Sequence, residues 1–329
     1  MTFLDRLTVG SDIAESRRSS LYPDLHAMAA QGETARYDNL DIRLDARTKT
    51  CWCTMRPQGR PSYTLELMRD VGSMQHDIHQ LFEDLAPLGE RPMEWFVMDS
   101  ATPGIFNLGG DLGHFAERIR ARDLTALRHY GHVAVEAIYR NTVAFDVPIV
   151  TMALVQGDAL GGGFEHALSF DLIVAERSAK LGLPEILFNM FPGMGAYSFL
   201  SRRMDRGRAE ALILSGRVHT AEELHAMGVV DVLAEDGEGK EAVCEYIARH
   251  GRKHNAHQAT YRARRRVNPV TLEELRDVVD IWAEAAMNLT APDLRKMERL
   301  TSAQDRRLAS LPAPRSETVA ASRSVVEAL

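Results

Sequence analysis

The sequence predicts an α/β fold in which short strands alternate with helices. Two apolar runs, Trp95–Met98 and Ile149–Val155, have the length and residue types of buried strands. Each is followed by a glycine-rich turn and then by residues with helical spacing. A strand, a helix and a further strand in this order normally form a right-handed crossover between parallel strands. The alternation therefore indicates βαβ organisation with parallel pairing.

Changes in periodicity give the order of the elements along the chain. Apolar residues alternate over residues 40–44 and again up to Met55, which is typical of a β-hairpin. Residues 64–86 show helical spacing, and residues 104–113 contain too much glycine for regular structure. The remaining predictions are a long helix over 114–146, a strand over 149–155, a glycine turn over 157–163, a helix over 164–170, a strand over 172–175, and helices over 205–228, 238–256, about 271–288 and 291–309.

These patterns divide the chain into four regions. Residues 1–36 are polar and are interpreted as an N-terminal extension, and residues 37–260 form the predicted core. Residues 261–311 are a C-terminal helical region. Residues 312–329 are small and polar, and we expect them to be disordered.

Composition excludes several classes of function. The 329 residues carry a formal net charge of -7, so no overall positive field attracts nucleic acid. The longest apolar run, residues 147–155, is too short to cross a bilayer. The N-terminus lacks the basic start and apolar core of a secretory signal. We therefore expect a cytoplasmic protein that neither binds nucleic acid nor inserts into membranes.

Metal and cofactor sites are not expected. The chain has three cysteines, and an odd, small number fits a reducing compartment better than a disulfide framework. Cys51 and Cys53 share one face of a predicted strand, but no second pair completes a metal site. His250, His254 and His257 have helical spacing without a carboxylate shell, so an exposed helix face is the simpler interpretation.

Two glycine-rich segments follow predicted strands and indicate a ligand site. Asn107–Leu112 and Val155–Glu165 each contain adjacent glycines, which let the backbone approach a ligand closely. The second runs into a helix, whose first N–H groups have no partner within the helix. Its spacing does not match a phosphate-binding loop, so a site for a growing oxyanion is favoured. Glu165, in the first helical turn, points into the same space. For the first segment, a plain strand-to-helix turn is the alternative.

Glu185 is a second candidate for acid/base chemistry. It lies between Pro184 and Ile186 in an apolar stretch. Burial there is expected to raise its pKa and to suit it to proton transfer near neutral pH. The alternative is that Glu185 caps a helix or pairs with an arginine.

Together the three segments resemble the enoyl-CoA hydratase/isomerase (crotonase) superfamily. The pattern is a glycine-rich loop ending in a small residue and Asp, then Gly-Gly-Gly-x-Glu, then Pro-Glu twenty residues later; it is present here at Gly110-Asp111, Gly161–Glu165 and Pro184-Glu185. The resemblance covers roughly residues 38–260. It implies a crotonase fold, in which repeated ββα units form a spiral core, with a C-terminal helical region.

The resemblance also assigns roles to individual residues. It implies that the backbone amides of Gly110 and Gly162 form an oxyanion hole and that Glu165 and Glu185 form the acid/base pair, without a metal or cofactor. Which glutamate serves which step stays open. Members of the superfamily assemble as trimers or dimers of trimers, so we expect a homotrimer or hexamer.

A closer resemblance connects the chain to the diffusible signal factor synthases of Gram-negative bacteria. It rests on Val155–Glu165 and Gly182–Tyr197, on the insertion between Asp111 and Pro148, and on the N-terminal extension. It implies a lyase that dehydrates a 3-hydroxyacyl thioester on acyl carrier protein to the cis-2-enoyl product. The same enzyme then acts as a thioesterase and releases a free cis-2-unsaturated fatty acid for quorum sensing.

Two alternatives to the synthase stay open. One is a general enoyl-CoA hydratase or isomerase, which differs in carrier and in product geometry. The other is a crotonase-fold protein whose main role is to bind a sensor or regulator.

A fatty acyl chain requires an apolar tunnel, and an acidic carrier protein requires a basic surface. The substrate-binding candidates are Leu160, Gly161, Leu187, Asn189, Met190 and Met194, with Met152 and Phe191 as further apolar candidates. Core packing is the alternative for the apolar ones. The candidates for binding acyl carrier protein or CoA are Arg202, Arg203, Arg206, Arg208, Arg262, Arg264, Arg265 and Arg266. A solvated helix face is the alternative for these arginines.

Overall fold

Short strands and helices alternate along residues 35–309, the part of the chain that this computed structural model describes, with side chains from residue 37. The strands are β1 (Ala35–Arg36), β2 (Leu40–Asp45), β3 (Thr50–Met55), β4 (Trp95–Ser100), β5 (Ile105–Asn107), β6 (Val150–Val155), β7 (Asp158–Leu160), β8 (Leu172–Glu176), β9 (Lys180–Gly182), β10 (Val218–Thr220) and β11 (Val232–Ala234). The α-helices are α1 (Leu65–Leu85), α2 (Leu112–Arg120), α3 (Leu124–Thr142), α4 (Gly162–Leu168), α5 (Ala196–Arg203), α6 (Arg206–Ser215), α7 (Ala221–Ala226), α8 (Gly239–His250), α9 (His254–Val267), α10 (Leu272–Ala286) and α11 (Ala291–Ala309). Short 3-10 helices lie at Ala86–Leu88, Ala144–Asp146, Pro184–Phe188 and Gly251–Lys253.

Two sheets organise the described chain. The larger has the order β1-β2-β3-β4-β6-β8-β11 and is parallel from β3 to β11. The predicted hairpin of β2 and β3 forms its antiparallel part. The smaller sheet has the order β10-β9-β7-β5, with β5, β7 and β9 parallel. The predicted parallel α/β organisation is therefore present.

Each repeat of the chain contributes one strand to each sheet. β4, β6 and β8 lie side by side in the large sheet, and the strands that follow them, β5, β7 and β9, lie side by side in the small one. A helix or 3-10 turn follows each strand of the small sheet. This repetition brings the ends of β5, β7 and β9 together, and these ends carry the residues singled out from the sequence.

The small sheet was not predicted. Residues 104–113 contain β5 and residues 157–163 contain β7, so the expectation that these segments lack regular structure is wrong in part. Strands of three residues are too short to show a period of two, and the glycines around them hide the remaining signal.

Three predicted helix boundaries also differ from the structure. The long helix over 114–146 is two helices, because Arg122 has a φ of 56° and Asp123 caps α3 by accepting from the Ala126 N–H at 3.0 Å. The helix over 205–228 is divided by Gly216 (φ 61°) and β10 into α6 and α7. The helix over 238–256 ends at His250, and α9 begins after a 3-10 turn. Helix α5 was not predicted.

The large sheet has a different core on each face. Trp95, Val150 and Met152 pack towards α8 and its neighbours on one face. The alternate residues, including Phe96 and Ala153, belong to the main core on the other face, which also contains buried residues of α1, α3 and α10. Helix α10 packs on α3, and α11 packs on α2 and on the 3-10 turn at 184–188. The C-terminal helices therefore cover the main core.

The predicted division into regions stays a prediction. Helix α9 runs without a break across the predicted boundary at residue 260. Residues 1–34 of the predicted extension and the predicted disordered tail at 312–329 lie outside the described residues. Within residues 35–309, no helix combines the length and the apolar character needed to cross a membrane.

A buried carboxylate connects α9 to the large sheet. Asp171 is 3% exposed and accepts from the Thr151 N–H at 3.1 Å and from the guanidinium groups of Arg264 at 3.0 Å and Arg265 at 2.6 Å. Both arginines are partly exposed, so Asp171→Asn chiefly weakens the charge-assisted hydrogen bonds of one buried group. It should reduce the free energy of unfolding by about 2 kcal/mol in urea denaturation.

An exposed pair provides the control for this prediction. The Arg206 side chain is 81% exposed and lies 3.7 Å from Glu210, so Arg206→Ala should change the free energy of unfolding by less than about 0.5 kcal/mol. Equal effects of the two substitutions would contradict the anchoring role of Asp171.

Candidate active site

Two glycine loops from successive repeats meet at the centre of the site. Gly109 has a φ of 88°, and a Cβ atom there would lie 2.6 Å from the Leu160 carbonyl oxygen and 2.9 Å from the Gly162 nitrogen. A Cβ atom on Gly162 would lie 3.4 Å from the Gly110 nitrogen. Because real Cβ atoms do not approach backbone so closely, glycine is required at Gly109. The approach places the Gly110 and Gly162 amides side by side.

Both amides are available to a ligand. Gly162 is the first residue of α4, so its N–H has no carbonyl one turn earlier in that helix. The carbonyl of Gly109 accepts from the Tyr63 N–H at 2.8 Å. Since a trans peptide is planar, the Gly110 N–H points in the opposite direction from that carbonyl. Gly110 and Gly162 both line the same cavity, so the arrangement can bind one oxygen atom from two sides.

Glu165 lies on α4 beside these amides and is held by backbone donors. It is 1% exposed, and its Oε1 accepts from the N–H groups of Met194 at 2.7 Å and Ala196 at 3.0 Å. Burial raises the pKa of Glu165 to about 7, and the two N–H groups act in the opposite direction. The carboxyl group is thus fixed in position and poised to titrate near neutral pH.

Glu185 faces the same cavity from the 3-10 turn at 184–188. A Cβ atom on Gly161 would lie 2.4 Å from the Glu185 Oε1, so only glycine leaves room for this carboxyl group. Its buried Oε2 has no hydrogen-bond partner among residues 35–309. Burial, and then the charge of Glu165, raise the pKa of Glu185 well above its ordinary value. Two carboxyl groups whose pKa values are both raised in one cavity favour a state in which one is protonated and the other is ionised.

The cavity around the carboxyl pair is mainly apolar. Its walls come from α2, α3, the 3-10 turn at 184–188, the following loop, α10 and α11. The lining residues are Gly110, Leu112, Phe115, Ile119, Tyr130, Gly131, Gly162, Glu165, Glu185, Phe188, Met190, Gly193, Met194, Val279, Trp282, Ala286 and Met297. An apolar chain attached to a group between the two carboxyls therefore has an apolar surface to contact.

The structure places only part of the predicted acyl pocket in this cavity. Met190 and Met194 line it. Leu187 is 55% exposed, and Asn189 lies at the surface, where it bonds Asp293 at 3.4 Å. The backbone of Leu160 pairs with β9 and its side chain is half-buried, away from the lining residues.

Three further candidates also lie elsewhere. Gly161 provides the space for Glu185 rather than a contact to an acyl chain. Met152 faces the opposite side of the large sheet, and Phe191 packs against the main core. Core packing explains the apolar character of Met152 and Phe191.

The C-terminal helices supply lining residues that the sequence analysis did not assign. Val279, Trp282 and Ala286 project from one face of α10, and Met297 from α11. Val279, Trp282 and Ala286 are three and four residues apart, so they belong to the apolar stripe of the predicted helix over 271–288. The stripe indicates a buried face, but spacing alone does not identify the cavity that this face covers.

The basic candidates for carrier binding are largely engaged within the chain. Arg202 pairs with Glu274 at 2.8 Å, Arg203 with Asp231 at 3.2 Å, and Arg206 and Arg208 with acids on or next to their own helix. Arg264 and Arg265 hold Asp171 as described above. Helix α9 packs on the face of the large sheet opposite the main core, and the cavity lies in the main core.

The cysteine and histidine candidates have ordinary structural roles. Cys51 and Cys53 are buried free thiols. The exposed helix face expected for the three histidines is wrong. His254 is buried and its Nε2 lies 2.8 Å from the Glu94 carbonyl oxygen, and the half-buried rings of His250 and His257 pack at 4.8 Å. Within the described residues, no group of three or more potential ligands is placed to hold a metal ion.

The carboxyl pair should make stability fall as pH rises. The pKa of Glu185 is raised in the folded state above its ordinary 4.5, so above that pH folding takes up a proton and the free energy of unfolding decreases. Glu185→Gln removes this proton uptake. Its thermal midpoint should exceed that of the wild type at about pH 8, and the difference should shrink as the pH approaches the ordinary glutamate pKa of 4.5.

Circular dichroism melts at both pH values test this dependence. The control substitution is Glu210→Gln, at a half-buried position of α6 outside the cavity lining. A raised pKa of Glu185 would be contradicted if Glu185→Gln increased the thermal midpoint equally at both pH values, or more at the acidic one.

Comparisons with known proteins agree with this fold. A sequence profile described as enoyl-CoA hydratase/isomerase matches residues 73–282. The chain is 33% identical over 165 residues to the mitochondrial methylglutaconyl-CoA hydratase of Rattus norvegicus. The alignment covers 46% of this chain and 47% of that protein. The chain thus spans about half the length of the curated relatives it matches.

Solved structures agree over most of the chain. The enoyl-CoA hydratase of Bacillus halodurans superposes with a TM-score of 0.64 at 22% identity, over 80% of this chain and 100% of that one. Pseudomonas aeruginosa DspI superposes with a TM-score of 0.52 at 22% identity, over 88% of this chain and 100% of that one. At these identities the likeness concerns the fold, and the predicted crotonase fold is confirmed. Because the family profile covers well over half of its residues, the chain belongs to the enoyl-CoA hydratase/isomerase family.

Proposed function

We propose that the protein forms an enolate from an acyl thioester and eliminates water from its 3-hydroxyl group. The observation that carries this proposal is the placement of two buried carboxyl groups, Glu165 and Glu185, in one apolar cavity with the adjacent N–H groups of Gly110 and Gly162. A thioester is the chemical group that uses all four, because its carbonyl oxygen becomes negative when the α-carbon loses a proton.

The four groups divide the reaction between them. The thioester oxygen accepts from the Gly110 and Gly162 amides, each of which can stabilise the developing charge by about 3–4 kcal/mol. The ionised carboxylate takes the α-proton, and the protonated partner gives its proton to the 3-hydroxyl as water leaves. The α-C–H and C3–O bonds break, the C2–C3 double bond forms, and the pair again holds one proton.

In its specific form, the proposal is a diffusible signal factor synthase in the cytoplasm. A glutamate would then take a proton from a water molecule as the water oxygen bonds to the carbonyl carbon of the cis-2-enoyl thioester on acyl carrier protein, beside the same amides. The C–S bond breaks, and the glutamate returns the proton to the carrier's thiol as it leaves. The resemblance of Val155–Glu165 and Gly182–Tyr197 to those synthases supports this form. The apolar cavity closed by α10 and α11 supports a fatty chain without polar groups.

A second candidate is hydration or dehydration on CoA thioesters without hydrolysis. The similarity to the methylglutaconyl-CoA hydratase of Rattus norvegicus supports this second candidate, because that protein is named as a CoA-thioester hydratase. The similarity extends over about half of that protein. The predicted carrier-binding arginines form ion pairs with acidic residues of the same chain. They therefore support neither acyl carrier protein nor CoA over the other.

Product analysis separates the two candidates. The purified chain is incubated with 3-hydroxydodecanoyl-acyl carrier protein and with the corresponding CoA thioester, and both free acids and thioesters are measured by mass spectrometry. We expect a free cis-2-enoic acid from the wild type. Glu165→Gln and Glu185→Gln should each reduce its formation at least about 100-fold, because each removes one member of the proton-transfer pair.

The control is Glu176→Gln. Glu176 is a buried glutamate at the end of β8 that bonds Gln156 at 3.0 Å and lies outside the cavity lining, so its substitution should leave product formation within about threefold. A trans-enoyl thioester without release would favour the hydratase. Unchanged turnover in either site variant would contradict the carboxyl pair, and no turnover on either carrier would favour a role in binding a sensor or regulator.

A further inference from the structure

A side-chain hydroxyl group links two backbone groups next to the proposed oxyanion hole. Tyr63 and Gly110 form an isolated parallel bridge, in which the Tyr63 N–H donates to the Gly109 carbonyl at 2.8 Å. On the other side of Gly110, the Asp111 N–H donates to the Tyr130 hydroxyl at 3.1 Å, and that hydroxyl donates to the Tyr63 carbonyl.

The Tyr63 N–H and the Tyr130 hydroxyl group together hold the backbone on both sides of Gly110. The peptide before Gly110 is held through the Gly109 carbonyl, and the peptide after it is held through the Asp111 N–H. Gly110 has no side chain to restrict its own torsions. Without the hydroxyl group, the Tyr63 carbonyl and the Asp111 N–H would lose their common partner. The segment at Tyr63 that holds the Gly109 carbonyl could then shift and carry the Gly110 N–H away from the Gly162 amide.

Tyr130 is itself held rigidly. It is 2% exposed, its ring packs edge-on against Phe115 at 4.8 Å, and the ring of His114 stacks on it at 5.6 Å. Burial raises the pKa of the Tyr130 hydroxyl, so it remains a neutral donor throughout the working range. Its ring also lines the cavity, which places this contact within the site rather than behind it.

We propose that Tyr130 is a positioning residue for the oxyanion hole, whose hydroxyl group sets the direction of the Gly110 N–H. The proposal rests on the proposed function, because it requires that a thioester oxygen binds at Gly110 and Gly162. Tyr130 touches neither the α-proton nor the 3-hydroxyl in this account, so it acts on the rate only through the amide that it orients.

The test compares Tyr130→Phe with Tyr139→Phe. Both residues lie on α3, and Tyr139 is a partly buried tyrosine outside the cavity lining. Phenylalanine keeps the ring packing and removes only the hydroxyl group. We expect Tyr130→Phe to lower kcat about tenfold with KM within about twofold, because a misdirected donor weakens transition-state binding more than substrate binding. Tyr139→Phe should retain the wild-type values.

A spectroscopic measurement reports the hydrogen bonds directly. A 2-enoyl-CoA thioester conjugated to an aryl ring absorbs at longer wavelength when donors polarise its carbonyl group. Wild type and Tyr139→Phe should shift the absorption band to the red on saturation, and Tyr130→Phe should produce no more than about half of that shift. Thermal melts of all three proteins check that the variants are folded.

The outcomes separate the two proposals. A full red shift and full kcat in folded Tyr130→Phe would overturn the role of Tyr130 and leave the proposed function intact. An equal red shift combined with a kcat loss that follows only the fraction unfolded would also overturn it. No red shift in the wild type, together with no turnover, would overturn the oxyanion hole itself and the proposed function with it.

Discussion

The site depends on one close approach between two backbone segments. The loop after β5 and the start of α4 come together at Gly109 and Gly162 at a distance that any side chain would prevent. This contact is possible because successive repeats place β5 and β7 side by side in the small sheet. It sets two amide groups next to each other, and the same helix start that supplies one amide also carries Glu165. The same backbone contact therefore sets the positions of both amide groups and of the Glu165 carboxyl group.

The second carboxyl group has a cost that the fold must offset. Glu185 is held against Gly161 with one buried oxygen that has no partner in residues 35–309, and its pKa is raised by burial and by Glu165. Such an arrangement does not favour folding, and it is typical of sites where activity sets the requirement. The covering helices α10 and α11 contribute apolar contacts around the pair, so the predicted C-terminal helical region takes part in the site.

The sequence located the central residues of the site better than the residues around them. Local context singled out Glu165 and Glu185, the family resemblance singled out Gly110 and Gly162, and all four line one cavity. Few of the predicted acyl-pocket residues line it: Leu187 and Asn189 lie at the surface, whereas Trp282, which was not predicted, is part of the lining. Apolar periodicity indicates that a face is buried but contains no information about the element it meets. The three-residue strands of the small sheet were missed for a related reason: pairing across long sequence separations stabilises them.

The most direct test of this account is exchange of the α-proton in deuterium oxide. A saturated acyl thioester has no 3-hydroxyl to eliminate, so any incorporation of deuterium at its α-carbon reports the enolate alone. The account predicts that the wild type catalyses this exchange, observed by NMR or mass spectrometry, and that Glu165→Gln and Glu185→Gln together abolish it. Product formation from the 3-hydroxyacyl thioester without any exchange in the saturated analogue would contradict an enolate held by the Gly110 and Gly162 amides.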